Sequence, residues 1–395
     1  MTRSEILLHG VVNCENRNHL ASRLDRGESL RIKFGVDPSA PDLHLGHLVP
    51  MGLLRHWQEA GHLPILVIGD FTARIGDPSG RSVTRPQLTV EEVEANAKTY
   101  LEQLFCVVDP DRVEVRRQSE WYDEFDLVAV LRLANTATVA QLLQRSDFEQ
   151  RMRAEQAIGV QELFYPLLQG YDSVAIRADV ELGGSDQLFN LLRGRDVQVA
   201  YGQPPQDIIT VPLLEGLDGQ KKMSKSLGNA VAVADPPGSQ FGQLMSLPDQ
   251  LIPRYLALLT DTAADELERI QRGLEDGSLN PRDAKADLAE HLVSQLHDPS
   301  LARAARAEFF RVHRDGGLPS AIDEAKIPYR SAWDLRDLLV AAGMAQSKGE
   351  AARLIQGGAV ELEGEKLRNW REPLVVSSGA VLKVGTRRVV RLAPT

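Results

Sequence analysis

The stretch from Leu30 to Asp70 constrains the fold more than any other part of the sequence. LRIKFGV, residues 30–36, alternates between apolar and other side chains, a pattern typical of a β-strand. LVPMGLLRHWQEA, residues 48–60, has the apolar spacing of a helix, and Gly61 stands where that helix is expected to end. PILVIGD, residues 64–70, is almost continuously apolar, as in a strand buried on both faces of a parallel sheet. Strand, helix and strand in this order predict an α/β fold for the amino-terminal half.

The composition is that of a globular protein with more than one domain. The chain has 395 residues, 43% of them hydrophobic and 25% charged, which allows cores of ample size. The apolar run in MTRSEILLHGVV is too short for a signal peptide, and no stretch has the roughly eighteen apolar residues of a membrane helix. We therefore expect a cytoplasmic protein with no membrane partner. Cys14 and Cys106 are too few for a zinc knuckle or a disulfide framework, and we interpret them as packing residues.

The charge is unevenly distributed. The net charge of −10 argues against general coating of nucleic acid. Residues 331–395, however, contain 10 Lys+Arg against 7 Asp+Glu, so the end of the chain is basic while the rest is acidic. A basic segment on an acidic body is weak support for one local contact with a polyanion.

Two histidines three residues apart, His44 and His47, lie at the start of the predicted helix in DPSAPDLHLGHL, residues 37–48. On a first helical turn they share one face, and the positive end of the helix dipole favours neutral imidazoles that donate hydrogen bonds. Gly46 between them leaves room for a ribose or a purine. A zinc site would need a third ligand that is not nearby, and a pair of surface histidines without a chemical role is also compatible with the pattern. This stretch alone leaves these alternatives open.

A second polar loop, KKMSKSLGN, residues 221–229, follows the strand-like PPQDIITVPLL, residues 204–214. Lys222 and Lys225, with Ser224 and Ser226, would suit a pyrophosphate, although a single lysine pair in a loop is usually solvated surface. Together with HLGH the loop forms a specific two-part signature. On these two motifs the chain resembles the class I aminoacyl-tRNA synthetases, because KMSKS matches the common form of their second motif letter for letter.

Three further runs narrow the resemblance to the bacterial tyrosyl-tRNA synthetases. They are GDPSGR at 76–81, FYPLLQGYD at 164–172 and LGGSDQLFN at 182–190. Each alone is typical of a turn or a core segment, but their order matches this family. Tyr165, Gln169 and Asp172 have the spacing of one helical face, and Pro166 either begins that helix or kinks it.

The tail also matches this family. SKGEAARLIQGGAVELEGEKL, residues 347–367, resembles the S4-type RNA-binding module that bacterial tyrosyl enzymes carry and tryptophanyl relatives lack. The resemblance implies a Rossmann-like catalytic domain at 1–235 with a helical insertion at about 119–180. It also implies an α-helical domain on the anticodon side of the tRNA at 236–320, and a linker with a small α+β S4-like domain at 321–395.

The resemblance assigns residues to tyrosine. It implies that Asp77, Tyr165 and Gln169 hold the ammonium group and that Asp172 accepts the hydrogen bond of the phenol. The remaining implied contacts, near the carboxylate, are Gly35, Asp37 and Gln187.

It also assigns residues to ATP, which would be a substrate with Mg²⁺ on its phosphates and without a protein-bound metal. His44 and His47 would contact phosphates and ribose, and Asp186 would bind the ribose hydroxyls. The other implied ATP contacts are Ser39, Gly46 and Ser224. The leaving pyrophosphate would be held by Lys222, Lys225, Arg81 and Arg85.

The partners that the resemblance implies are L-tyrosine, ATP and tRNA(Tyr), in a homodimer whose contact comes from the insertion. The basic residues expected to touch tRNA phosphates are Arg336, Lys348, Arg353, Lys366, Arg368 and Arg371. Two departures from the family leave questions: Lys33 stands where many members have a tyrosine, and Glu181 where some have a glutamine.

Two other functions fit parts of the sequence. Small nucleotidyltransferases also use an H-x-G-H turn, but they are usually shorter and would not explain the S4-like tail. An RNA-binding protein on a retired synthetase scaffold would not need intact HLGH and KMSKS motifs. ATP–pyrophosphate exchange measured with each amino acid distinguishes these hypotheses, and we expect exchange with tyrosine alone.

Overall fold

The computed structural model describes residues 7–8, 10–38, 41–75, 88–320, 322–385 and 388–395. The chain forms two compact units, Met1–Ala302 and Arg303–Thr395. Most of the segment from residue 236 to 320 therefore belongs to the first unit. The finer division into a catalytic and a helical domain stays a prediction. Within the described residues no helix is long and apolar enough to cross a membrane.

A six-stranded sheet forms the centre of the first unit, with the strand order β1-β6-β5-β2-β3-β4. Neighbouring strands are parallel except β1, which pairs antiparallel with β6 at one edge. The strands are β1 (Asn13–Glu15), β2 (Arg31–Val36), β3 (Leu63–Ile68), β4 (Glu114–Arg117), β5 (Val180–Gly184) and β6 (Asp207–Val211). The predicted α/β class is confirmed.

Helices connect these strands and continue after them. In chain order the helices of the described residues are α1 (Arg17–Asp25), α2 (Leu45–Glu59), α3 (Thr72–Ile75), α4 (Val90–Leu104), α5 (Ser119–Tyr122), α6 (Leu127–Ala134), α7 (Val139–Leu142), α8 (Ser146–Arg153), α9 (Val160–Ile176), α10 (Leu188–Ala200), α11 (Pro237–Leu244), α12 (Ile252–Leu259), α13 (Ala264–Glu275), α14 (Pro281–Leu296), α15 (Pro299–His313), α16 (Leu335–Ala341) and α17 (Lys348–Gln356).

The βαβ unit predicted from residues 30–70 is confirmed as β2, α2 and β3. Residues 65–68 of β3 are each at most 1% exposed, as the continuous apolar run predicts for a strand covered on both faces. Gly61 has a φ of 90°, a left-handed conformation that glycine adopts without strain, and α2 ends just before it.

The predicted helical stretch between β4 and β5 is also present, as α5 to α9. Helix α9 begins at Val160, six residues before Pro166, so the proline lies inside the helix rather than at its start. Of the two alternatives that the sequence left open, the structure has the interior proline. Tyr165 and Asp172 are buried and Gln169 is half-buried, along one helix as the spacing predicts.

The second unit combines helices with a sheet of order β7-β11-β10-β8-β9. Its core contains Trp333, Leu338, Ile355 and Leu382, each at most 2% exposed. This arrangement agrees with the expected small α+β fold. The strands are β7 (Asp323–Ile327), β8 (Val360–Leu362), β9 (Glu365–Lys366), β10 (Val381–Val384) and β11 (Arg388–Pro394).

Candidate active site

The carboxyl ends of the parallel strands border one cavity of about 570 Å³. Ligands of open α/β sheets bind at this edge, where the loops after the strands meet. The cavity is lined by side chains from HLGH, from KMSKS and from the predicted face of α9 together. The predicted site residues on its walls are Gly35, Asp37, His44, Gly46, His47, Tyr165, Gln169, Asp172, Asp186, Gln187, Lys222, Ser224 and Lys225.

The two distant motifs are brought together by a short antiparallel contact. His44 forms an isolated β-bridge with Ala232, just after the KMSKS loop. The backbone N–H of Leu45 donates to the Val231 carbonyl at 3.0 Å, and that of Val233 donates to the Leu43 carbonyl at 2.9 Å. This pairing sets the lysine loop beside the first turn of α2.

The rings of His44 and His47 are in contact at the start of α2, with centroids 3.9 Å apart and an angle of 40° between the ring planes. Nδ1 of His47 lies 3.1 Å from the backbone nitrogen of His44 and 3.3 Å from its carbonyl oxygen, so the backbone of His44 holds this ring in place. Burial first, and then nearby positive charge including that of Lys225, lower the pKa of His44 to about 3 and that of His47 to about 4. These directions agree with the predicted neutral state, although burial rather than the helix dipole is the main cause.

Two details of this turn favour a ligand. Nδ1 of His44 is buried without a hydrogen-bond partner among the described residues. A Cβ at Gly46 would lie 3.0 Å from the His44 ring, so the glycine first of all makes room for the histidine. An unpaired polar atom in a cavity wall is costly unless a bound molecule supplies its partner.

The KMSKS loop is anchored from beneath by Asn229, which is 4% exposed. Its Oδ1 accepts from the Ser224 N–H at 2.8 Å, and its Nδ2 donates to the Lys222 carbonyl at 3.2 Å and to Asp218 Oδ2 at 3.1 Å. Met223 is buried, while the lysines on either side of it are exposed. Asn229 therefore holds the backbone of the loop, while the ammonium groups of Lys222 and Lys225 stay accessible at the cavity.

Both lysines of the motif contact carboxylates at the cavity. Lys222 Nζ lies 3.0 Å from Asp186 Oδ2, and Lys225 Nζ lies 2.6 Å from Asp42 Oδ2. All four side chains are substantially exposed, so these pairs contribute little to stability and can exchange for other anions.

The opposite end of the cavity is formed around Asp172, which is 2% exposed. Gln118 Nε2 donates to its Oδ2 at 2.8 Å and Trp121 Nε1 donates to Oδ1 at 3.2 Å. The Tyr122 hydroxyl lies 3.2 Å from Oδ1, but its one hydrogen is shared with the Leu168 carbonyl, which is closer at 2.5 Å. A carboxylate offers about four acceptor positions. The described residues use at most three of them, and one position on Oδ2 is among those left over. Burial raises the pKa of this carboxyl from 3.8 to about 7.

Asp37 follows β2 and is held by two hydroxyl groups. The Tyr165 hydroxyl donates to Oδ2 and the Thr72 hydroxyl to Oδ1, each at 2.7 Å. A Cβ at Gly69 would lie 1.9 Å from Asp37 Oδ1, so only glycine allows this carboxylate its position. Asp37 and Tyr165 thus form one rigid wall of the cavity.

Gln169 and Gln187 are connected through Asn190. Asn190 Nδ2 lies 3.0 Å from Oε1 of both glutamines, and its own Oδ1 accepts from Arg145 at 3.2 Å. The amide groups of two predicted tyrosine contacts are therefore oriented by a residue that the sequence analysis did not select.

Lys33 is 0% exposed and its ammonium group points toward α9 and Glu181. The sequence analysis singled out Lys33, but it did not select four other residues around the cavity: Gln118, Trp121, Tyr122 and Asn190. The available signal was the position of Gln118 directly after β4, where polar residues of a parallel sheet reach a ligand site.

Some predictions lie outside the described residues. They concern Ser39, Asp77, Arg81 and Arg85. Among the described residues no group of three or more His, Cys, Asp or Glu side chains could hold a metal ion. The prediction that both cysteines are packing residues is wrong for Cys106, which is exposed, while Cys14 is half-buried.

The predicted tRNA contacts of the second unit lie on or near α16, α17 and β9. Arg336 pairs with Asp334 at 2.6 Å and Lys348 with Asp337 at 2.5 Å, whereas Lys366 is 3.9 Å from Glu361. The remaining three are exposed arginines, Arg353, Arg368 and Arg371.

Comparison with known proteins identifies the family. The profile described as "tRNA synthetases class I (W and Y)" matches residues 25–314. The tyrosine–tRNA ligase of Oleidesulfovibrio alaskensis is 49% identical, with 98% of this chain and 97% of that protein covered. That of Thermotoga maritima is 46% identical, with 98% and 96% covered. A truncated mitochondrial tyrosyl-tRNA synthetase of Aspergillus nidulans has the same fold, with a TM-score of 0.67 at 23% identity over 79% of this chain and 94% of that one.

The chain therefore belongs to the class I tRNA synthetases of the W and Y type, and within them to the tyrosine–tRNA ligase family. The resemblance that was based on HLGH, KMSKS and the runs around Asp172 is confirmed. The activity predicted from it, that of a ligase which joins tyrosine to tRNA, is that of the family.

Proposed function

We propose that this chain activates L-tyrosine with ATP and transfers the tyrosyl group to the 3′-terminal adenosine of tRNA(Tyr), using the residues assigned above. The observation that carries the proposal is the position of Asp172. It is a buried carboxylate with one unused acceptor position, and it lines the same cavity as the HLGH and KMSKS motifs. A phenol hydroxyl is a donor of the right polarity for that position.

In the first step the tyrosine carboxylate attacks the α-phosphorus of ATP and pyrophosphate leaves. A carboxylate is already a nucleophile, so the protein has to orient the reactants and stabilise the charge that spreads onto phosphate oxygens. Asp37, held by Tyr165 and Thr72, lines the amino acid side of the cavity, and His44 and His47 line the ATP side. Both imidazoles are neutral, so they would act as hydrogen-bond donors. Mg²⁺ would arrive on the ATP phosphates as part of the substrate.

Lys222 and Lys225 would hold the leaving pyrophosphate. Lys222 pairs with Asp186, and Lys225 pairs with Asp42. When ATP enters, its phosphates would replace these partners, and Asp186 would become available to the ribose hydroxyls. The two lysines would then interact most strongly with the pyrophosphate as negative charge develops on it in the transition state. Interactions of this kind raise the rate of adenylate formation and not the affinity for ATP.

In the second step a ribose hydroxyl of the tRNA takes the tyrosyl group. The six basic residues of the second unit would contact tRNA phosphates, and those now paired with carboxylates would exchange partners on binding. Such contacts position the nucleic acid without reading its sequence. tRNA charging takes place where translation occurs, and we therefore place the chain in the cytoplasm.

We further propose a homodimer formed through the insertion. Leu127 and Val128 of α6 are each 72% exposed and Leu131 is 60% exposed. Three large apolar side chains on one short helix suit burial against a second copy. Leu131→Glu is expected to convert dimer to monomer in light scattering, and a variant that stays as dimeric as the parent contradicts this interface.

The proposed activity is tested by ATP–pyrophosphate exchange with each of the twenty amino acids. Tyrosine alone should support exchange, and Asp172→Ala should lose the preference for tyrosine over phenylalanine. Sites that hydrogen-bond a substrate hydroxyl reject the analogue without it by about 10⁴–10⁵, a magnitude for which this enzyme family is itself the reference case. An unchanged preference in the variant would refute the assignment of Asp172.

A further inference from the structure

Lys33 and Glu181 form an ion pair inside the sheet. The parallel register of β2 and β5 places the two residues opposite each other. Lys33 Nζ lies 2.9 Å from Glu181 Oε1, and the side chains are 0% and 1% exposed. Removing two charges from water is expensive, and such a pair is tolerated only when its remaining donors and acceptors are also satisfied.

These remaining groups are all satisfied. An ammonium group has three donors, and Lys33 directs the other two to the Gln169 carbonyl at 2.6 Å and to Ser173 Oγ at 2.9 Å. Oε1 of Glu181 also accepts from Gln169 Nε2 at 3.1 Å. Its Oε2 accepts from Ser173 at 3.3 Å and from Gln206. The pair therefore forms hydrogen bonds with both the backbone and the side chain of Gln169.

Gly194 of α10 lies beside Glu181 and has no side chain that would enter the space around the carboxylate. A Cβ at Gly194 would lie 2.6 Å from Gln206 Nε2 and 3.1 Å from Glu181 Oε2. Since α10 passes this close, only a glycine lets the carboxylate keep all its donors.

The carboxylate of Glu181 decides which way the Gln169 amide points. A carboxylate accepts but does not donate, so the NH₂ group of Gln169 must face Glu181. The amide oxygen then faces away, where Asn190 Nδ2 donates to it at 3.0 Å. An amide oxygen accepts two hydrogen bonds, and Gln169 lines the cavity, so one acceptor position is left for a ligand.

We propose that Lys33 and Glu181 are positioning residues, a buried ion pair that holds the Gln169 amide with its oxygen presented to the ammonium group of tyrosine. The proposal rests on the proposed function, in which Gln169 binds that group. Glutamine at position 181 would donate as readily as it accepts, so it would permit both orientations of the Gln169 amide. Lys33 is needed because Glu181 without it would be an unpaired buried charge.

The test measures binding of two tyrosine analogues to the full-length chain. Tyramine keeps the ammonium group and lacks the carboxylate, whereas 3-(4-hydroxyphenyl)propionate keeps the carboxylate and lacks the ammonium group. The variants are Glu181→Gln and the double variant Lys33→Met/Glu181→Gln, which removes both charges while nearly conserving shape. Thermal unfolding of each variant is recorded beside the Kd values, and the double variant serves if the single one does not fold.

The matched control is Arg151→Met/Glu162→Gln. Arg151 and Glu162 form another buried ion pair, 5% and 3% exposed at their side chains, away from the cavity lining. Removing this pair perturbs the fold in a comparable way but leaves the Gln169 amide in its network.

We expect the Kd for tyramine to rise about tenfold or more in the Glu181 variants, the usual effect of losing a hydrogen bond to a charged group. The Kd for the propionate should change less than twofold, and the control should change neither. Equal losses for both analogues, or no loss for either, would overturn the inference. If the parent itself fails pyrophosphate exchange with tyrosine, the proposed function is wrong. A parent that exchanges while its variants lose both analogues equally leaves that function intact.

Discussion

The ionisation of Asp172 should make tyrosine binding depend on pH. Burial raises the pKa of this carboxyl from 3.8 to about 7, and the positive charge of Lys33 and the hydrogen bond from Gln118 offset only part of that effect. The carboxylate form has an acceptor position for the phenol hydroxyl, and protonation adds a competing donor. We therefore expect tyrosine to bind best to the ionised form.

The size of the effect follows from the ionised fraction. At pH 6, one unit below the pKa, about a tenth of the protein is ionised, so the apparent Kd of tyrosine should rise about tenfold, roughly 1.4 kcal/mol. Phenylalanine has no hydroxyl group to donate to Asp172. We expect it to bind more readily when Asp172 is protonated and neutral than when it is ionised. The Kd of phenylalanine should not rise as the pH falls. The ratio of the Kd of phenylalanine to that of tyrosine should therefore decrease. His44 and His47, with pKa values of about 3 and 4, stay neutral across this range.

The assay is a binding titration, followed by intrinsic tryptophan fluorescence, of tyrosine and phenylalanine from pH 5.5 to 8.5. The parent is compared with Asp172→Asn, which removes the titrating proton and keeps the size of the side chain. The parent should show a step in tyrosine affinity centred near pH 7, and the variant should show none. A step of equal size in the variant, or in the parent with phenylalanine, would refute the reasoning.

Three further outcomes are expected. Because the folded pKa of Asp172 lies above its unfolded value of 3.8, the folded parent holds a proton that the unfolded chain releases. Its stability relative to Asp172→Asn should fall as pH rises, by about 3 kcal/mol between pH 5 and pH 8, and parallel urea-unfolding results at the two pH values would contradict this. Lys225→Ala should slow adenylate formation about 10²-fold or more in single-turnover assays with little change in tyrosine Kd, whereas an unchanged rate removes the lysine from the reaction. Deletion after about residue 325 should leave pyrophosphate exchange intact and impair transfer to tRNA, and equal transfer rates with and without the tail would exclude a role for it.

The sequence predicts those features that depend on local order. The period of apolar residues in 30–70 is enough for β2, α2 and β3, because each element has to bury its own apolar face. HLGH and KMSKS predict the nucleotide side of the cavity because each motif is a continuous run. Their meeting at the His44–Ala232 bridge agrees with the pairing of the two motifs in one signature.

The interior of the tyrosine side could not be predicted in the same way, because its contacts join residues far apart in the chain. Gln118 and Asp172 lie 54 residues apart, at the two ends of the long connection between β4 and β5, and nothing in the local pattern around either one indicates the other. Arg145 reaches Asn190 across the helical insertion for the same reason. Such polar partners become visible only when the sheet order and the packing of α9 are known.

Lys33 shows where reasoning from alternation fails. In LRIKFGV the lysine falls on the face that alternation assigns to water, but β2 is a central strand in which Ile32, Lys33 and Phe34 are buried in succession. Both of its faces are buried, so the lysine needs an acceptor inside the protein, and the register of β5 supplies Glu181. The two departures from the family pattern are thus one structural feature.

This pairing also bears on the proposed recognition of the tyrosine phenol, for which many family members have a second tyrosine side chain. Because Lys33 is committed to Gln169, Ser173 and Glu181, β2 offers no further partner at that point. The donors that hold Asp172 come from Gln118 and the helix after it instead. In the proposed function, recognition of the hydroxyl would therefore depend on the orientation of a single carboxylate, that of Asp172. Lys33→Tyr alone would leave Glu181 as an unpaired buried charge and is expected to destabilise the fold by about 3–5 kcal/mol.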